Sequence, residues 1–459
     1  MISVSMTCAS ISSMVGPPFA TRRRIEGRWH PHDRDGLVTR KGLWLSPDFM
    51  RLWAAQSISE TGTQIGQLAV PLLAIGTLHA SATELGFLTS ARMLPFLLLA
   101  LPAGALLDRM RRLPVLVTSD LLRALLLGSV PVAYALDVLT LAQLYIAVLL
   151  VGVFTVAFDI SYQSYLPTLV RREELADANA KLTASSSAAE MAGPAAAGIL
   201  AGVIGAAATV LLDALSFLAS GLFCRAIRQP EPEPEVPADQ GARSLRKEIG
   251  EGLGFVLRQS MLRAVAACAS LLNLGSSMLT VLLTLYMVRT LDYAPAMVGV
   301  VFSLAGVGLV GGALLASRAI ERLGYGRSIT WGAVTCGVGL ALMLMPAVEP
   351  GLSFPFLAAG HLLFGFGVPL FNIAQVTLRQ AITPDRLRGR MNASMRFVIW
   401  STIAIGGPLS GLLAELLGMR GAIIASAVVG AVSWLPLLWS PVPALRELPE
   451  EEATAVVKD

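Results

Sequence analysis

The sequence predicts an all-α membrane protein of twelve transmembrane helices in two six-helix bundles. Three observations predict it. Of its 459 residues 54% are apolar and only 14% charged, where soluble domains carry about 25% charged residues. Apolar stretches of about 20 residues recur along the chain, each long enough to cross ~30 Å of hydrocarbon as a helix. The second half also repeats the first at a constant offset of 213 residues. That offset superposes Gly86 on Gly299, Ser90 on Ser303, Asp108 on Glu321 and Arg109 on Arg322. It continues through Phe158 on Phe371, Asp159 on Asn372, Gly193 on Gly406, Gly198 on Gly411 and Gly205 on Gly418. Two copies of one unit, each too hydrophobic for water, is the pattern of a transporter built from repeats.

In order, residues 1–47 are a polar tail whose arginines (Arg22, Arg23, Arg24, Arg28) follow a weakly apolar stretch, which is not the order of a cleaved signal peptide. Spans are expected near 50–77, 83–107, 113–135, 139–163, 177–204 and 206–227, which places the first bundle at 48–227. A linker, 228–259, opens with alternating proline and glutamate from Gln229 to Asp239, a composition that cannot continue a helix. Ser244 then caps a short helix whose Leu245, Ile249, Leu253 and Val256 share one stripe, a pattern that suits the inner membrane surface. The second bundle, 260–442, holds spans near 260–288, 294–317, 327–347, 353–379, 390–417 and 421–442, and a tail of 443–459 follows.

Charge sets the orientation. Of the 35 Lys and Arg, only Arg289 and Arg420 fall in outer loops if both termini are cytoplasmic, and Arg92 and Arg123 fall within spans. The reverse orientation would invert that bias, so both termini are expected inside. The net charge of +4 follows from this bias and does not point to nucleic acid. The four cysteines, Cys8, Cys224, Cys268 and Cys336, stand in no metal or redox spacing. No phosphate-binding Gly-x-x-x-x-Gly-Lys loop, nucleophile elbow or Cys/His cluster is present, which argues against an ATP-driven pump or an enzyme.

Between the second and third spans stands Gly104-Ala-Leu-Leu-Asp108-Arg109-Met-Arg111-Arg112-Leu113, a knot of charge between two apolar runs, echoed by Ser317-Arg-Ala-Ile-Glu321-Arg322-Leu-Gly324. With Asp159-Ile-Ser-Tyr-Gln-Ser-Tyr-Leu-Pro167, Ala189-Glu-Met-Ala-Gly-Pro-Ala-Ala-Ala-Gly198 and Gly389-Arg-Met-Asn-Ala-Ser-Met-Arg-Phe397, it resembles the major facilitator superfamily. The likeness is to the bacterial branch of enterobactin-exporter-like and macrolide-efflux-like permeases, over about residues 48–442. The loop departs from the superfamily pattern: Arg111 stands where glycine is usual and Leu113 where a second arginine is usual. The resemblance implies a gate formed by Gly104, Asp108, Arg109 and Arg112 with their counterparts Glu321 and Arg322. Physically, an aspartate at a helix end can meet the positive N-terminus of a neighbouring helix, and the arginines can pair with acids at cytoplasmic helix ends, Asp159 among the candidates. Such contacts exist in one state only and so bias a two-state equilibrium.

Ser57, Glu60, Gln64 and Gln67 recur at helical spacing in the first span, with Glu60 about 15 Å deep at 1.5 Å per residue. A carboxyl there is expensive unless it meets water or a partner. At the repeat offset Glu60, Gln64 and Gln67 meet Asn273, Ser277 and Thr280 of the seventh span, and the two stripes are expected to face a central cavity together with Arg92 and Glu190. Other in-span charges also gather in the first half: Arg92, Asp120, Arg123, Glu190 and Asp213 stand opposite Ala305, Ala333, Cys336, Ile403 and Ser426. Asp120 and Arg123, three apart, suit a local ion pair. His361 suits a packing role.

The expected function is secondary active transport: proton-coupled efflux of an amphiphilic small molecule (drug, macrolide or siderophore) by alternating access. The Gly193-Pro194 pair tilts the direction to export by analogy with the resembled superfamily. A lipid or lysophospholipid flippase, or a non-transporting membrane scaffold, are the alternatives. The expected energy source is the proton gradient, with no cofactor and no metal. The expected setting is a monomer in the bacterial inner membrane.

Overall fold

A computed structural model describes residues 43–107, 110–231 and 245–448, excepting the side chains of residues 100–102, 104–105, 245–249 and 385. The first half contains α1 (Pro47–Gly76), α2 (Ala82–Leu107), α3 (Arg112–Ala135), α4 (Leu141–Leu169), α5 (Leu175–Ile204) and α6 (Ala206–Arg225). After α7 (Leu245–Arg258) come α8 (Ser260–Arg289), α9 (Pro295–Leu323), α10 (Tyr325–Leu342), the short α11 (Met345–Val348), α12 (Ser353–Ala381), α13 (Asp385–Ala431) and the short α14 (Leu435–Leu438).

Ten of these helices are long and apolar enough to cross a membrane. The count reaches twelve crossings through two features of local chemistry. The 30-residue α1 is long enough, but its polar stripe lowers its hydropathy. The 47-residue α13 supplies two crossings, because Gly418 (φ 70°, ψ 167°) reverses the chain inside it. Gly205 (φ 87°) makes the equivalent reversal between α5 and α6. His79 (φ 51°) and Asp292 (φ 52°) form a second pair at the same offset, each in the left-handed conformation just after a helix end, of α1 and α8 respectively. The duplication is therefore written into the backbone as well as the sequence.

The structure moves several expected boundaries. α4 continues to Leu169 and α9 to Leu323, so Glu321 and Arg322 belong to the last turn of α9 and not to a loop. α9 ends where Gly324 takes φ 79°. The last crossing is interrupted after Ala431, and the short α14, with Pro436 in its first turn, carries it on to Leu438. The amphipathic α7 was expected on the membrane surface, with Ser244, outside the described residues, as its cap. α7 packs on the start of α13, with Val256 buried, Gly252 against the Arg390 backbone and Glu251 ion-paired to Arg390.

Each helix runs between a linker end, which carries residues 110–112 and the approach to the linker, and a far end. The two halves meet mainly through α5 with α9 and α2 with α13, and the contacts gather toward the far end. Thr83 donates to Glu415 at 2.6 Å, and Gly86 lies against the Gly407 carbonyl. Gly198 and Gly299 approach backbone to backbone in the equivalent place on the other side. Further toward the middle, Phe96 packs edge-on to Trp400 with centroids 6.1 Å apart.

Candidate functional site

In each of the polar stripes of α1 and α8 one member is packed within its own half. Gln64 is buried over Gly193 of α5, and its counterpart Ser277 is buried over Gly406 of α13, at equivalent positions of the two repeats. Glycines at these crossings let the helices approach closely, so both side chains go into helix packing within their own halves. The Ser277 and Thr280 hydroxyls bond to their own helix, at the carbonyls of Leu274 (3.0 Å) and Ser276 (2.8 Å). Asn273, Gln67 and Ser57 are half-buried, and the Ser57 hydroxyl meets no partner. Glu60 accepts a hydrogen bond from Gln64 Nε2 at 2.8 Å.

A small cavity of ≈ 20 Å³ lies between α1, α5 and α9, lined by Gln64, Glu190, Pro194, Phe302, Ala305 and Gly306. Its size suits a single water. The Glu190 carboxyl borders it with one buried oxygen unpartnered.

A cluster of buried charge lies inside the first half, while in the second half Arg379, near the end of α12, is buried and donates to Asn392 at 2.8 Å. Asp120 and Arg123 form a buried ion pair, and Ser220 of α6 donates to the second Asp120 oxygen at 2.6 Å. The Arg123 guanidinium lies between the rings of Phe158 and Phe217, 4.4 Å from each centroid, an arrangement that offsets lost hydration with two π-faces. Arg92 of α2 is within electrostatic reach of Asp213 and Glu60. Asp159 was expected to meet the loop arginines near a helix end. It lies ten residues inside α4, where its charged neighbours are Arg123, Glu60 and Asp120. The extension of α4 to Leu169 is what carries it inward.

At the loop itself, Asp108 and Arg109 lie outside the described residues, as do the surroundings of Gly104. Arg112 opens α3, and its acid partner comes from the linker. Glu231 accepts from the backbone N–H groups of Arg112 (2.7 Å) and Leu113 (3.1 Å), with the Arg112 guanidinium 3.9 Å away. A carboxylate on the exposed amides of a first turn is favoured by the helix dipole. His361 bonds to the Leu357 carbonyl of its own helix and packs edge-on to Phe302, as a packing residue does.

A family model described as transmembrane secretion effector matches residues 45–456. The chain belongs to this family. It is a multi-pass membrane transporter of the major facilitator type, not an enzyme, and it acts on small molecules. It is 27% identical over 410 residues to the multidrug efflux pump Tap of Mycobacterium tuberculosis, covering 88% of this chain and 94% of that one. The fold superposes on a bacterial homologue of the iron transporter ferroportin in its inward-facing state with TM-score 0.68, at 19% identity over 86% of this chain and 99% of the other. On the outward-facing state of a bacterial ferroportin homologue the TM-score is 0.56, at 20% identity over 85% and 98%.

Two features of the transporter were visible in its sequence only as paired letters. Ser90 and Ser303, superposed by the repeat, both bridge the halves at a proline. Pro408 has no N–H for the Ala404 carbonyl, and Ser90 donates to that carbonyl at 2.5 Å. Beside Pro194, the Ala195 N–H donates to Ser303 at 2.8 Å. The second feature is a notch in α1. Gly62 and Gly66 leave room for Ser216 and the Asp213 carboxylate of α6, where a Cβ at Gly66 would stand 1.8 Å from Asp213 Oδ2. Two glycines four apart in a span were the available signal.

Proposed function

We propose that the transporter exports an amphiphilic small molecule from the cytoplasm by alternating access, driven by proton entry. The drug-efflux direction draws on the likeness to Tap, a multidrug efflux pump. Proton coupling rests on Glu60, a carboxyl in the middle of α1 with a single amide donor and Arg92 and Arg123 in electrostatic reach. A carboxyl held in a span, neither exposed to water nor locked in an ion pair, can exchange its charge for a proton as access alternates. In this reading residues 48–227 and 260–442 are the two bundles that rock against each other, and 228–259 joins them. The linker end faces the cytoplasm, as the arginines there favour (Arg112, Arg171, Arg172, Arg228, Arg322 and Arg327 against Arg289 and Arg420 at the far end). The far-end contacts then describe an outer gate that is closed. The loop of Gly104, Asp108, Arg109 and Arg112, with Glu231 on the start of α3, forms the inner gate. The protein works as a monomer in the bacterial inner membrane, with the gradient as energy source and no cofactor.

The test is Glu60→Gln in proteoliposomes. With an imposed pH gradient the variant is expected to lose uphill export while keeping exchange down a substrate gradient, since Asn273 shows that the repeat tolerates an amide there. Uphill transport at the wild-type rate would move the coupling carboxyl elsewhere.

A further inference from the structure

The interior cluster of the first half has more acids than bases. Among the described residues it joins Glu60 of α1, Asp120 of α3, Asp159 of α4 and Asp213 of α6 to the guanidiniums of Arg92 and Arg123. Arginine stays charged in proteins. Asp120 is matched by Arg123, which Asp159 also neighbours, and Glu60 and Asp213 share Arg92. An uncompensated carboxylate inside a span is costly, so with four acids to two bases two of the four are expected to be neutral in the state described here.

Geometry separates them. Glu60 has its Gln64 donor, which supports a carboxylate. Asp213 is only 5% exposed and its Oδ1 accepts no hydrogen bond. The groups that bear on it are Arg92, Arg123 and Glu60, with its own neighbour Ser216, while Glu190 of α5 bears on Glu60 in turn. The notch that receives it belongs to the first half alone. Gly62 is repeated as Gly275, but Gly66 is replaced by the buried Leu279, and Asp213 by Ser426, whose hydroxyl bonds to its own helix at Ala422. One half has opened a space for a carboxyl, and the other has filled that space with a side chain.

We propose that Asp213 is a second proton-binding carboxyl of the transport cycle, so that the first half takes up protons at Glu60 and at Asp213. This rests on the proton-coupled reading above. A proton from the far side adds to the Asp213 carboxylate and forms a neutral acid. Release regenerates the carboxylate opposite Arg92. Asp213 lies seven residues from the far end of α6, about 10 Å at 1.5 Å per residue, whereas Asp159 lies ten residues from the linker end of α4. The carboxyls thus descend across the bundle from one face toward the other.

Difference infrared spectroscopy of the full chain in liposomes, titrated with pH, reads the protonated carboxyl directly. Asp213→Asn is expected to lose one carboxylic-acid C=O band that Glu60→Gln retains, and Glu60→Gln to lose a different one. A wild-type titration in folded Asp213→Asn overturns the proposal. Loss of a band in Glu60→Gln alone removes Asp213 and leaves the coupled reading standing. Loss in Asp213→Asn alone keeps Asp213 and removes Glu60 as a carrier. If Asp213→Asn does not fold, protein labelled with 13C-aspartate decides: among the buried aspartates, a titrating band shifted by the label and retained both in Asp159→Asn and in Asp120→Asn/Arg123→Leu belongs to Asp213, and absence of any such band overturns the assignment.

Discussion

In the first half an arginine guanidinium lies between two phenylalanine rings and against an aspartate. At the equivalent place in the second half stands Cys336, buried against Gly367, its thiol 3.6 Å from the Phe364 carbonyl. Asp120 is answered by Ala333 and Asp213 by Ser426. The backbones of the two halves turn at matched residues, yet at these positions one interior is ionised and the other is small and neutral; the buried Arg379 of the second half lies two residues from the end of α12, bonded to Asn392. The difference teaches that the fold does not need the charges. A bundle of the same pattern packs with Cys336, Ala333 and Leu279 in their places, so the ionisable groups of the first half answer to something other than packing.

The largest expected effect comes from removing the buried cation. Arg123→Leu leaves Asp120 unpaired inside the bundle and should cost about 3–5 kcal/mol of stability, read as a lowered thermal unfolding midpoint in detergent. The double variant Asp120→Asn/Arg123→Leu should recover most of the loss, and Cys336→Ser should change far less. Equal costs for Arg123→Leu and Cys336→Ser would break the comparison. Next comes the notch. Gly66→Leu copies the second half and drives a side chain into the Asp213 carboxylate, an overpacking cost of about 1–3 kcal/mol. Gly66→Leu combined with Asp213→Ser reproduces the Leu279 and Ser426 pair and should restore stability while removing one ionisable group. The smallest effect concerns what the halves share. Ser90→Ala and Ser303→Ala each remove one hydrogen bond across the far-end contact, worth about 1 kcal/mol. Each should therefore raise labelling of single cysteines introduced at the far end about 5-fold. A change from only one of them would show that the two contacts are not equivalent in energy.

Much of the site could be read in advance as an inventory but not as a set of contacts. Glu60, Arg92, Asp120, Arg123, Glu190 and Asp213 announce themselves because charge is rare in apolar spans, and spacing alone pairs Asp120 with Arg123. The direction in which a stripe points was not legible. Gln64 and Ser277 carry the same polarity as a cavity-lining residue, and only Gly193 and Gly406 on neighbouring helices turn them into packing contacts. Asp159 was misplaced because the end of α4 was drawn six residues early, a shift of about 9 Å along the helix axis.

By itself the sequence determined the class, the twelve crossings, the duplication and the half in which the charges lie. These follow from hydropathy and from one-dimensional repetition, which need no knowledge of neighbours. Only the tertiary structure decided which residues meet: Arg123 with Phe158 and Phe217, Asp213 with Gly62 and Gly66, Ser90 with the carbonyl left by Pro408, and Glu231 with the start of α3. The physical reason is that helices in a bundle pack through small residues on faces that composition cannot rank. A contact between two helices depends on the rotation and depth of both, and neither is encoded in the letters of one.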